Sequence, residues 1–293
     1  MKLRVDVKPV LKWAGGKRQL LDPILAFVEE EFPGRIETYF EPFAGGAAVF
    51  FALSAEKKFE HAKLSDKNED LLRVYRELRD NADELIRELG KLCERGDGED
   101  IYYEVRGQRP KKDAARAARL IYLNRTGYNG LYRVNRSGGF NVPYGRYKNP
   151  RILDPSRLRA AAMALQGVEL CVEDFALCTK KAKHGDFVYF DPPYLPVSKT
   201  ASFAEYHSEA FTLAEHQRLA KEFGRLCKKG ISVLLSNSDT PETRDLYAKF
   251  ETKKVNARRA INSNASRRGA VSELLVRGSS SKTELPALSR ARK

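Results

Sequence analysis

The sequence predicts an α/β fold, a doubly wound sheet that carries an inserted, mainly helical domain. Strand-like and helix-like segments alternate in residues 1–67 and again in residues 151–278. Between them, residues 68–150 are strongly charged, keep helical periodicity and end in a loop-rich stretch. Such alternation is typical of a parallel sheet with helices on both faces, and the interruption indicates an insertion. We therefore expect one discontinuous domain with a second domain inside it.

The first region contains two predicted strands and two predicted helices. Asp22 and Pro23 precede an apolar helical face, which predicts an N-cap followed by proline at the first helical position. Residues 37–40 form a strand that enters a glycine-containing turn, and a helix begins near Ala47. A second short strand ends at Asp66.

The inserted region is predicted to be helical first and irregular afterwards. Apolar residues keep helical spacing from Leu71 to Leu89, and residues 114–123 continue the pattern. Residues 124–147 are instead rich in Asn, Gly, Arg and Tyr, a composition that favours an extended loop or hairpin.

The third region resumes the alternation and ends in a basic tail. Its predicted strands are short apolar runs at residues 168–172, 187–190, 231–236, 250–255 and 272–276. Its predicted helices lie at residues 155–165 and 213–228. Residues 279–293 are rich in Ser, Lys and Arg, so we expect this tail to be disordered.

The charge balance points to a polyanionic partner. The chain has 293 residues, with 53 Lys and Arg against 39 Asp and Glu, which gives a formal net charge of +14. Proteins with this excess usually meet a polyanion such as nucleic acid, because neutralised phosphates release counterions. The charge alone is also compatible with a basic protein that has no such partner. The sequence motifs are therefore needed to distinguish the two cases.

The sequence does not support a membrane, secreted or metal-binding class. No apolar stretch reaches the length of a membrane span, and the first residues lack the hydrophobic region of a signal peptide, so we expect a cytoplasmic protein. The four cysteines show no Cys-x-x-Cys spacing and no clustered histidines. This pattern favours reduced, mostly buried thiols without a metal or a disulfide.

The most informative motif is Asp191-Pro192-Pro193-Tyr194, which directly follows the apolar residues 187–190. The two prolines fix φ and remove two backbone donors, so the chain must leave the sheet rigidly. A carboxylate, backbone carbonyls and an aromatic face are thereby held at the carboxyl end of a strand, where α/β sheets bind ligands. Such a group suits a flat ring that bears an amino group. For these four residues alone, a strand followed by a tight turn is the alternative.

A second set of motifs indicates a ligand that contains a nucleoside. Phe43 and Gly45 lie in a strand–turn–helix segment whose glycines permit close approach of a ligand. Asp66 follows about twenty residues later, where an acid accepts hydrogen bonds from ribose hydroxyls, although a helix N-cap is the alternative role. Trp13 and Lys17 flank a double glycine and either anchor the N-terminus or line the ligand. The absence of a Walker-type lysine argues against a nucleoside triphosphate.

Residues 123–147, the recognition stretch, combine guanidinium groups, amides and aromatic rings on a glycine-punctuated frame. Arginine suits a bidentate contact to guanine, and Asn or Tyr side chains can insert where a base leaves the stack. Residues 138–147 are typical of the second arm of a hairpin that would fit a groove. A solvated loop without function is the alternative.

These blocks occur together and in order, and the chain resembles the Dam-type (D12 class) S-adenosylmethionine-dependent DNA adenine N6-methyltransferases over nearly its whole length, except the tail. The insert lies between the cofactor motifs and the Asp191 motif, an order similar to the alpha arrangement of amino-methyltransferases. The resemblance implies a Rossmann-like doubly wound methyltransferase sheet, a target-recognition domain at residues 68–150, S-adenosylmethionine as cofactor and double-stranded DNA as substrate. We expect a cytoplasmic monomer. Ala47 stands where many relatives carry a third glycine, and we expect the methyl group to be tolerated.

The resemblance also implies roles for individual residues. The Asp191 carboxylate and the Pro192 carbonyl would accept hydrogen bonds from N6 of a flipped-out adenine, on which Tyr194 would stack. The implied catalytic residues are Asp191, Pro192, Pro193 and Tyr194. The implied cofactor residues are Trp13, Lys17, Phe43, Gly45, Asp66, Asp174, Phe175 and Asp191. Among these, Asp174 and Phe175 would lie against the adenine of the cofactor.

The recognition stretch resembles the hairpin of methylases that act on GATC. By that resemblance Arg133 would contact a guanine, two apolar residues would contact bases, and three further residues would intercalate or fill the space that the adenine leaves. The implied DNA-binding residues are Tyr128, Asn129, Leu131, Arg133, Pro143 and Tyr147.

Two alternatives have to be weighed against a DNA adenine methyltransferase. RNA and protein-glutamine methyltransferases use a similar acid- or amide-Pro-Pro-aromatic loop, and a catalytically silent DNA-binding module would keep only DNA affinity. The insert rich in Arg, Asn and Tyr favours DNA as the substrate. Whether such an enzyme partners a restriction endonuclease or marks the host genome is left open by the sequence.

Overall fold

Seven strands in the described part of the chain form one sheet, in the order β3-β2-β1-β4-β5-β7-β6. The computed structural model describes residues 8–13, 20–196, 211–258 and 270–278. Strands β1 to β5 run parallel to one another, whereas β7 is antiparallel to both β5 and β6. The strands are β1 (Ile36–Glu41), β2 (Phe59–Asp66), β3 (Glu169–Val172), β4 (Phe187–Phe190), β5 (Ser232–Ser238), β6 (Glu251–Arg258) and β7 (Ala270–Gly278).

The central strands are buried on both faces. All four residues of β4 are buried, with Phe187 and Tyr189 in one apolar cluster and Val188 and Phe190 in another. Because alternate side chains of a strand point to opposite faces, apolar layers cover both faces of the sheet. The predicted doubly wound α/β fold is therefore confirmed.

The helices occupy the positions between the strands that the sequence predicts. They are α1 (Leu21–Glu31), α2 (Ala48–Ala55), α3 (Glu69–Glu94), α4 (Glu99–Gly107), α5 (Asp113–Thr126), α6 (Pro155–Ala164), α7 (Phe175–Cys178), α8 (Leu213–Lys228) and α9 (Pro241–Leu246). The sequence does not predict α4, α7 or α9, because segments of nine, four and six residues carry too little periodicity. No helix in the described ranges is long and apolar enough to cross a membrane.

The start of α1 corrects one detail of the prediction. Leu20 occupies the N-cap position, so Asp22 lies inside the first turn and does not cap the helix. Pro23 is accordingly the third helical residue, where the missing N–H still has no intrahelical partner to lose. The charge of Asp22 stabilises the helix dipole from within the first turn.

The first helix of the insert connects it to the sheet. Asn68 Oδ1 accepts the N–H of Leu71 at 3.0 Å and caps α3. The helix packs on α5, α6 and β3, and its buried residues Tyr75 and Leu85 belong to the same apolar cluster as Tyr39 of β1. The core thus continues from the sheet into the insert. The domain boundaries at residues 67, 150 and 278 stay predictions.

The recognition stretch contains the predicted hairpin. Two isolated antiparallel bridges pair Gly127 with Tyr144 and Val134 with Phe140. Phe140 is buried, whereas Val134 on the opposite arm is exposed. The predicted disordered tail, residues 279–293, lies outside the described residues.

Candidate active site

The sheet brings the predicted motifs to one edge. Strands β1, β2, β4 and β5 are parallel, so their carboxyl ends lie at the same edge. The turn after β1 therefore lies between Asp66, which ends β2, and Asp191, which follows β4. The strand order reverses between β1 and β4, and such a switch point is where open α/β sheets bind ligands.

The turn after β1 (residues 42–47, the glycine turn) is built around Gly45. This residue has φ +45°, a left-handed conformation that favours glycine. Its N–H donates to Asp66 Oδ2 at 3.1 Å, and its carbonyl accepts the Tyr75 hydroxyl at 2.5 Å. Ala47 also has a positive φ of 51°, which costs an L-residue about 1–2 kcal/mol. The methyl group of Ala47 is accommodated, but on a strained backbone.

Trp13 covers the glycine turn. A Cβ atom added to Gly45 would lie 2.8 Å from Trp13 Cδ1, and one added to Gly46 would lie 3.2 Å from Trp13 Cβ. The indole also stacks with Tyr132 of the insert, with ring centroids 5.7 Å apart. Trp13 therefore anchors its own segment and lines the glycine turn, so both sequence-based interpretations are compatible. Lys17, the predicted carboxylate partner, lies outside the described residues.

Asp66 fixes the backbone around the glycine turn. Its Oδ1 accepts the N–H of Asn68 at 2.9 Å, and its Oδ2 accepts the N–H of Gly45. Burial raises the pKa of the Asp66 carboxyl, and these backbone N–H bonds act in the opposite direction. The N-cap of α3 is Asn68, so the capping alternative for Asp66 is wrong. The carboxylate stays at the end of β2, the position that a ribose-binding acid requires.

Phe43 brings three segments together. Its ring stacks with Phe175 at 5.6 Å between centroids and meets Phe190 edge-on at 6.3 Å. Phe211 meets it edge-on at 5.5 Å. Since Phe175 begins α7 and Phe190 ends β4, the glycine turn shares an apolar floor with both. Ring faces and edges of this kind can hold a flat aromatic ligand.

Asp174 is held by an arginine that the sequence did not single out. Arg218 Nη1 and Nη2 donate to the two carboxylate oxygens at 2.7 and 2.6 Å. The guanidinium lowers the pKa of Asp174 to about 2. Asp174 also caps α7, because Oδ1 accepts the N–H of Ala176 at 3.0 Å. The Arg218 guanidinium lies 4.1 Å from the centre of the Phe175 ring, so this ion pair orients the predicted adenine contact.

The loop after β4 (residues 191–194, the 191–194 loop) leaves the sheet at the switch point. Asp191 Oδ1 accepts the Ser236 hydroxyl at 3.0 Å. Pro192 is buried, whereas Pro193 is exposed. A rigid and partly buried turn therefore presents the carboxylate at the edge of the sheet.

The end of the 191–194 loop is fastened to β5 and β7. The Tyr194 hydroxyl donates to Glu273 Oε2 at 3.0 Å, and the Leu195 N–H donates to Asn237 Oδ1 at 3.1 Å. Burial, followed by the nearby charges of Asp191 and Glu273, raises the pKa of Tyr194 well above its ordinary value. The phenol thus stays neutral and acts as a donor.

Sequence reasoning predicted the elements that supply these contacts but not the residues. The missed residues are polar side chains on α8, β5 and β7, namely Arg218, Ser236, Asn237 and Glu273. The one available signal was the polar run 236–238 at the end of an otherwise apolar strand. Such a run cannot indicate which loop it will face.

The described residues of the site offer carboxylates, carbonyls and rings. Within the described ranges, no group of three His, Cys, Asp or Glu side chains could hold a metal ion. Burial raises the pKa of Cys178 to about 12 and that of Cys93 to about 11. These thiols stay protonated at neutral pH and are poor nucleophiles.

The predicted base-reading arginine is exposed on the hairpin. Arg133 Nε and Nη2 both donate to the carbonyl of Asn141, at 3.0 and 2.7 Å. The turn of the hairpin is closed by Asn135, whose Oδ1 accepts the N–H groups of Ser137 and Gly139 at 3.1 and 2.8 Å. One edge of the guanidinium is thereby fixed against the opposite arm, which orients the side chain.

The other predicted DNA-binding residues surround the same stretch. Tyr128 is 41% exposed, and Pro143 is also exposed. Asn129 adopts φ 54° in the turn that carries Tyr128. Leu131 packs against the main apolar cluster, and Tyr147 lies under the Lys12 ammonium at 4.2 Å from the ring centre. The stretch thus presents rings and apolar groups on a surface that includes the segment of Trp13.

A buried amide joins that segment to the recognition stretch. Asn124 is 1% exposed, and its Oδ1 accepts the N–H of Lys12 at 2.8 Å. Its Nδ2 donates to the carbonyl of Lys12 at 2.7 Å and to that of Gly130 at 3.0 Å. One side chain therefore bonds to both backbone groups of Lys12, the residue before Trp13, and to the carbonyl of Gly130 in the recognition stretch.

The chain is similar to known proteins over most of its length. The family model of the D12 class N6 adenine-specific DNA methyltransferase matches residues 13–261. A type II methyltransferase of Lactococcus lactis subsp. cremoris, M1.LlaDCHI, is 40% identical over 283 residues, which cover 94% of this chain and 96% of that protein. The DNA adenine methylase of Escherichia coli (strain K12) is 38% identical over 269 residues, which cover 91% and 93%. A solved rRNA methylase from Streptococcus thermophilus aligns with a TM-score of 0.38 at 9% identity, and the alignment covers 90% of this chain and 98% of that chain.

Proposed function

This chain belongs to the D12 class of N6 adenine-specific DNA methyltransferases, and on that premise we propose that it methylates an adenine within GATC after the base has flipped out of the duplex. The enzyme uses S-adenosylmethionine as its cofactor. The observation that carries the proposal is the 191–194 loop at the switch point, one strand away from the glycine turn. Cofactor and target base would meet at this edge of the sheet.

The chemistry follows from acceptors held at the loop. The N6 lone pair of adenine is delocalised into the ring, so the nitrogen is a poor nucleophile. The Asp191 carboxylate and the Pro192 carbonyl would accept hydrogen bonds from the two N–H groups of N6. These bonds favour a more tetrahedral nitrogen, whose lone pair is less delocalised into the ring. S-adenosylmethionine, when bound, would supply an electrophilic methyl group whose bond to sulfur breaks as the bond to N6 forms, so that the sulfur leaves as a neutral thioether. The Asp191 carboxylate would stabilise the positive charge that develops on N6 until one N–H proton is released to solvent.

Two groups of residues would hold the cofactor. Asp66 would accept hydrogen bonds from the ribose at the end of β2, while Trp13 and the glycine turn would line the donor. Phe43 and Phe175 would hold the adenine ring, and Asp174 would act through its ion pair with α8. The carboxylates of Asp66 and Asp191, which lie on either side of the glycine turn, suit a ligand that has ribose hydroxyls and a sulfonium charge.

The recognition stretch supports duplex DNA as the substrate. Adenine N6 is paired inside the duplex, so the base must leave the stack, at a cost of roughly a few kcal/mol. Tyr128, Asn129 and Tyr147 would fill the space that the base leaves. Arg133 would contact a guanine, and the exposed Pro143 would contact a base edge. In this proposal the enzyme acts on DNA as a cytoplasmic monomer.

Expression in a host that lacks adenine methylation tests reaction and specificity together. Modification-sensitive sequencing should find N6-methyladenine at GATC, and none when Asp191→Ala is expressed at the same level. Methyl marks at other sites would keep the chemistry and reject GATC. A labelled-methyl assay of the purified enzyme on DNA, RNA and protein would expose a different substrate class. Normal turnover of Asp191→Ala with intact cofactor binding would reject the mechanism.

A further inference from the structure

Behind the Asp191 carboxylate lies a chain of two buried hydroxyl groups. Strands β4 and β5 are paired in parallel, with Phe190 opposite Leu235, so Ser236 lies beside the residue that follows β4. Ser236 Oγ is 3.0 Å from Asp191 Oδ1 and 2.9 Å from the Tyr189 hydroxyl. Both Ser236 and Tyr189 are 0% exposed. The three side chains form one continuous row of hydrogen bonds from the sheet interior to the site.

The direction of each hydrogen bond follows from the charge at the end of the row. An ionised carboxylate has no proton to donate, so the single hydroxyl proton of Ser236 must point at Asp191. The Tyr189 hydroxyl then donates to Ser236 Oγ. Burial, followed by the negative charge of Asp191, raises the pKa of Tyr189 well above its ordinary value, so the phenol keeps its proton. The row therefore has one polarity, with every donor aimed toward the carboxylate.

The rest of the loop does not need this bond to stay in place. Asn237 Oδ1 accepts the Leu195 N–H at 3.1 Å, and the Ser238 hydroxyl donates to the Leu195 carbonyl at 2.6 Å. Tyr194 is fastened to Glu273 on β7. Three successive residues of β5 thus bind the segment, and of these three it is Ser236 whose hydroxyl donates to Asp191 Oδ1. Asn237 and Ser238 therefore hold the backbone at Leu195, while Ser236 contacts the side chains of Asp191 and Tyr194.

We propose that Ser236 is a positioning residue for methyl transfer, an inference that rests on the proposed function of Asp191. A carboxylate can rotate about its Cβ–Cγ bond, and the directions of its lone pairs rotate with it. The Ser236 hydroxyl fixes Oδ1, so the plane of the carboxylate is set before the base arrives. Small misplacements of a reacting pair lower rates strongly, and a hydrogen bond to a charged group is among the strongest in proteins.

The test compares Ser236→Ala with wild-type enzyme in single-turnover and steady-state methylation of a GATC duplex. We expect kcat to fall about 10- to 100-fold, because a hydrogen bond to a charged group is lost. KM for DNA and the Kd of S-adenosylmethionine should stay within about threefold, since Ser236 is expected to touch neither ligand. Ser236→Thr keeps the hydroxyl and should restore most of the loss.

A double variant separates orientation from damage to the core. Ser236→Ala leaves the Tyr189 hydroxyl without its acceptor, whereas Tyr189→Phe/Ser236→Ala removes both groups. The proposal predicts that the two variants have the same kcat and that the double variant has the higher melting temperature. Recovery of kcat in the double variant would show that the loss came from a buried unpaired hydroxyl, and would overturn the proposal.

Failure of the positioning role of Ser236 can be distinguished from failure of the proposed function. If Asp191→Ala abolishes methylation while Ser236→Ala keeps kcat within threefold of wild type, the positioning role is wrong and the function stands. If Asp191→Ala itself keeps normal turnover, the proposed mechanism is wrong and the role of Ser236 falls with it. If a rise in the Kd of S-adenosylmethionine accounted for the whole loss of methylation activity in Ser236→Ala, the positioning role of Ser236 would also be rejected.

Discussion

The indole of Trp13 stacks on the ring of Tyr132 with centroids 5.7 Å apart and an interplanar angle of 26°. Trp13 precedes the sheet, whereas Tyr132 belongs to the recognition stretch, so the contact joins the two parts of the proposed site. The same indole covers Gly45 and Gly46. A change at the glycine turn that displaces the indole would therefore also disturb its contact with the recognition stretch.

Gly45→Ala should disrupt this arrangement. The new Cβ would lie 2.8 Å from Trp13 Cδ1, and the residue would have to keep φ near +45°. We expect the affinity for S-adenosylmethionine, measured by calorimetric titration, to fall at least about tenfold because the indole must move. Gly34→Ala is the matched control, since nothing lies within 4 Å of its added Cβ. Equal affinities of the two variants would contradict the proposed cofactor position.

Asn124→Ala should uncouple the segment of Trp13 from the recognition stretch. It leaves the N–H and carbonyl of Lys12 and the carbonyl of Gly130 without this partner. We expect the free energy of unfolding in urea to fall by about 2–4 kcal/mol, as several buried polar groups lose a hydrogen bond. Asn124→Asp keeps the acceptor oxygen but loses the Nδ2 donor, so its free energy of unfolding should also lie below that of the wild-type protein. A change below 0.5 kcal/mol in Asn124→Ala would show that water replaces the amide, on the scale of about 1 kcal/mol per bond.

The ion pair of Asp174 and Arg218 should make stability depend on pH in the acid range. The pKa of Asp174 is about 2 in the folded protein, against an ordinary value of 3.8. Because the folded-state pKa is lowered, the stabilisation is complete above about pH 4 and is lost as pH falls toward 2. Partial exposure reduces it to about 1–2 kcal/mol. Asp174→Asn should lose this amount at pH 7 and flatten the profile between pH 4 and 2, whereas Asp245→Asn, at an exposed position, should keep the wild-type profile.

Lys57→Gly should stabilise the protein. Lys57 has φ 55° just after α2, where its N–H donates to the carbonyl of Ser54 and the N–H of Lys58 donates to that of Leu53, each at 3.0 Å. Glycine adopts this left-handed position without the steric cost to an L-residue, so the free energy of unfolding should rise by about 0.5–1 kcal/mol. Glu56→Gly is the control, because Glu56 has φ −90° and glycine there should destabilise the helix end. A loss of stability in Lys57→Gly would contradict the strain argument.

Arg133→Ala should relax discrimination at one base of the recognition sequence. The loss of a bidentate contact to guanine should reduce the preference for that base by about 1–3 kcal/mol, measured as kcat/KM on duplexes with single substitutions. Arg136→Ala, in the exposed hairpin turn nearby, should leave the base preference unchanged. Uniform weakening on every duplex in Arg133→Ala would assign this guanidinium to the phosphate backbone instead.

The strands and their ends were accessible from the sequence because each depends on neighbouring residues. An apolar run followed by Asp191 and two prolines must stop being a strand there, whatever the rest of the chain does. For the same reason, the sequence predicted correctly that Asp66 ends β2 and that the glycine turn follows β1. The start of α1 was mispredicted at Asp22, because cap and first turn favour the same residue types and differ by only two positions.

The partners of the functional groups were not accessible in this way. Ser236 bonds to Asp191 across 45 residues, Arg218 to Asp174 across 44, and Asn124 to Lys12 across 112. A hydrogen bond depends on the distance between two atoms, and the order of strands and helices sets that distance after the chain has folded. Serine, arginine and asparagine occur at many positions where they bind only water.

The sequence by itself determined the chemistry of this protein: which acid, which carbonyls and which rings stand at the ends of strands, and the methyltransferase family they specify. Tertiary structure alone decided how those groups are oriented. The pairing of β4 with β5 placed the Ser236 hydroxyl beside the Asp191 carboxylate, and the packing of Trp13 between Gly45 and Tyr132 joined the glycine turn to the recognition stretch. Residue identity is local and can be read along the chain, whereas orientation depends on contacts that exist only once distant segments are packed together.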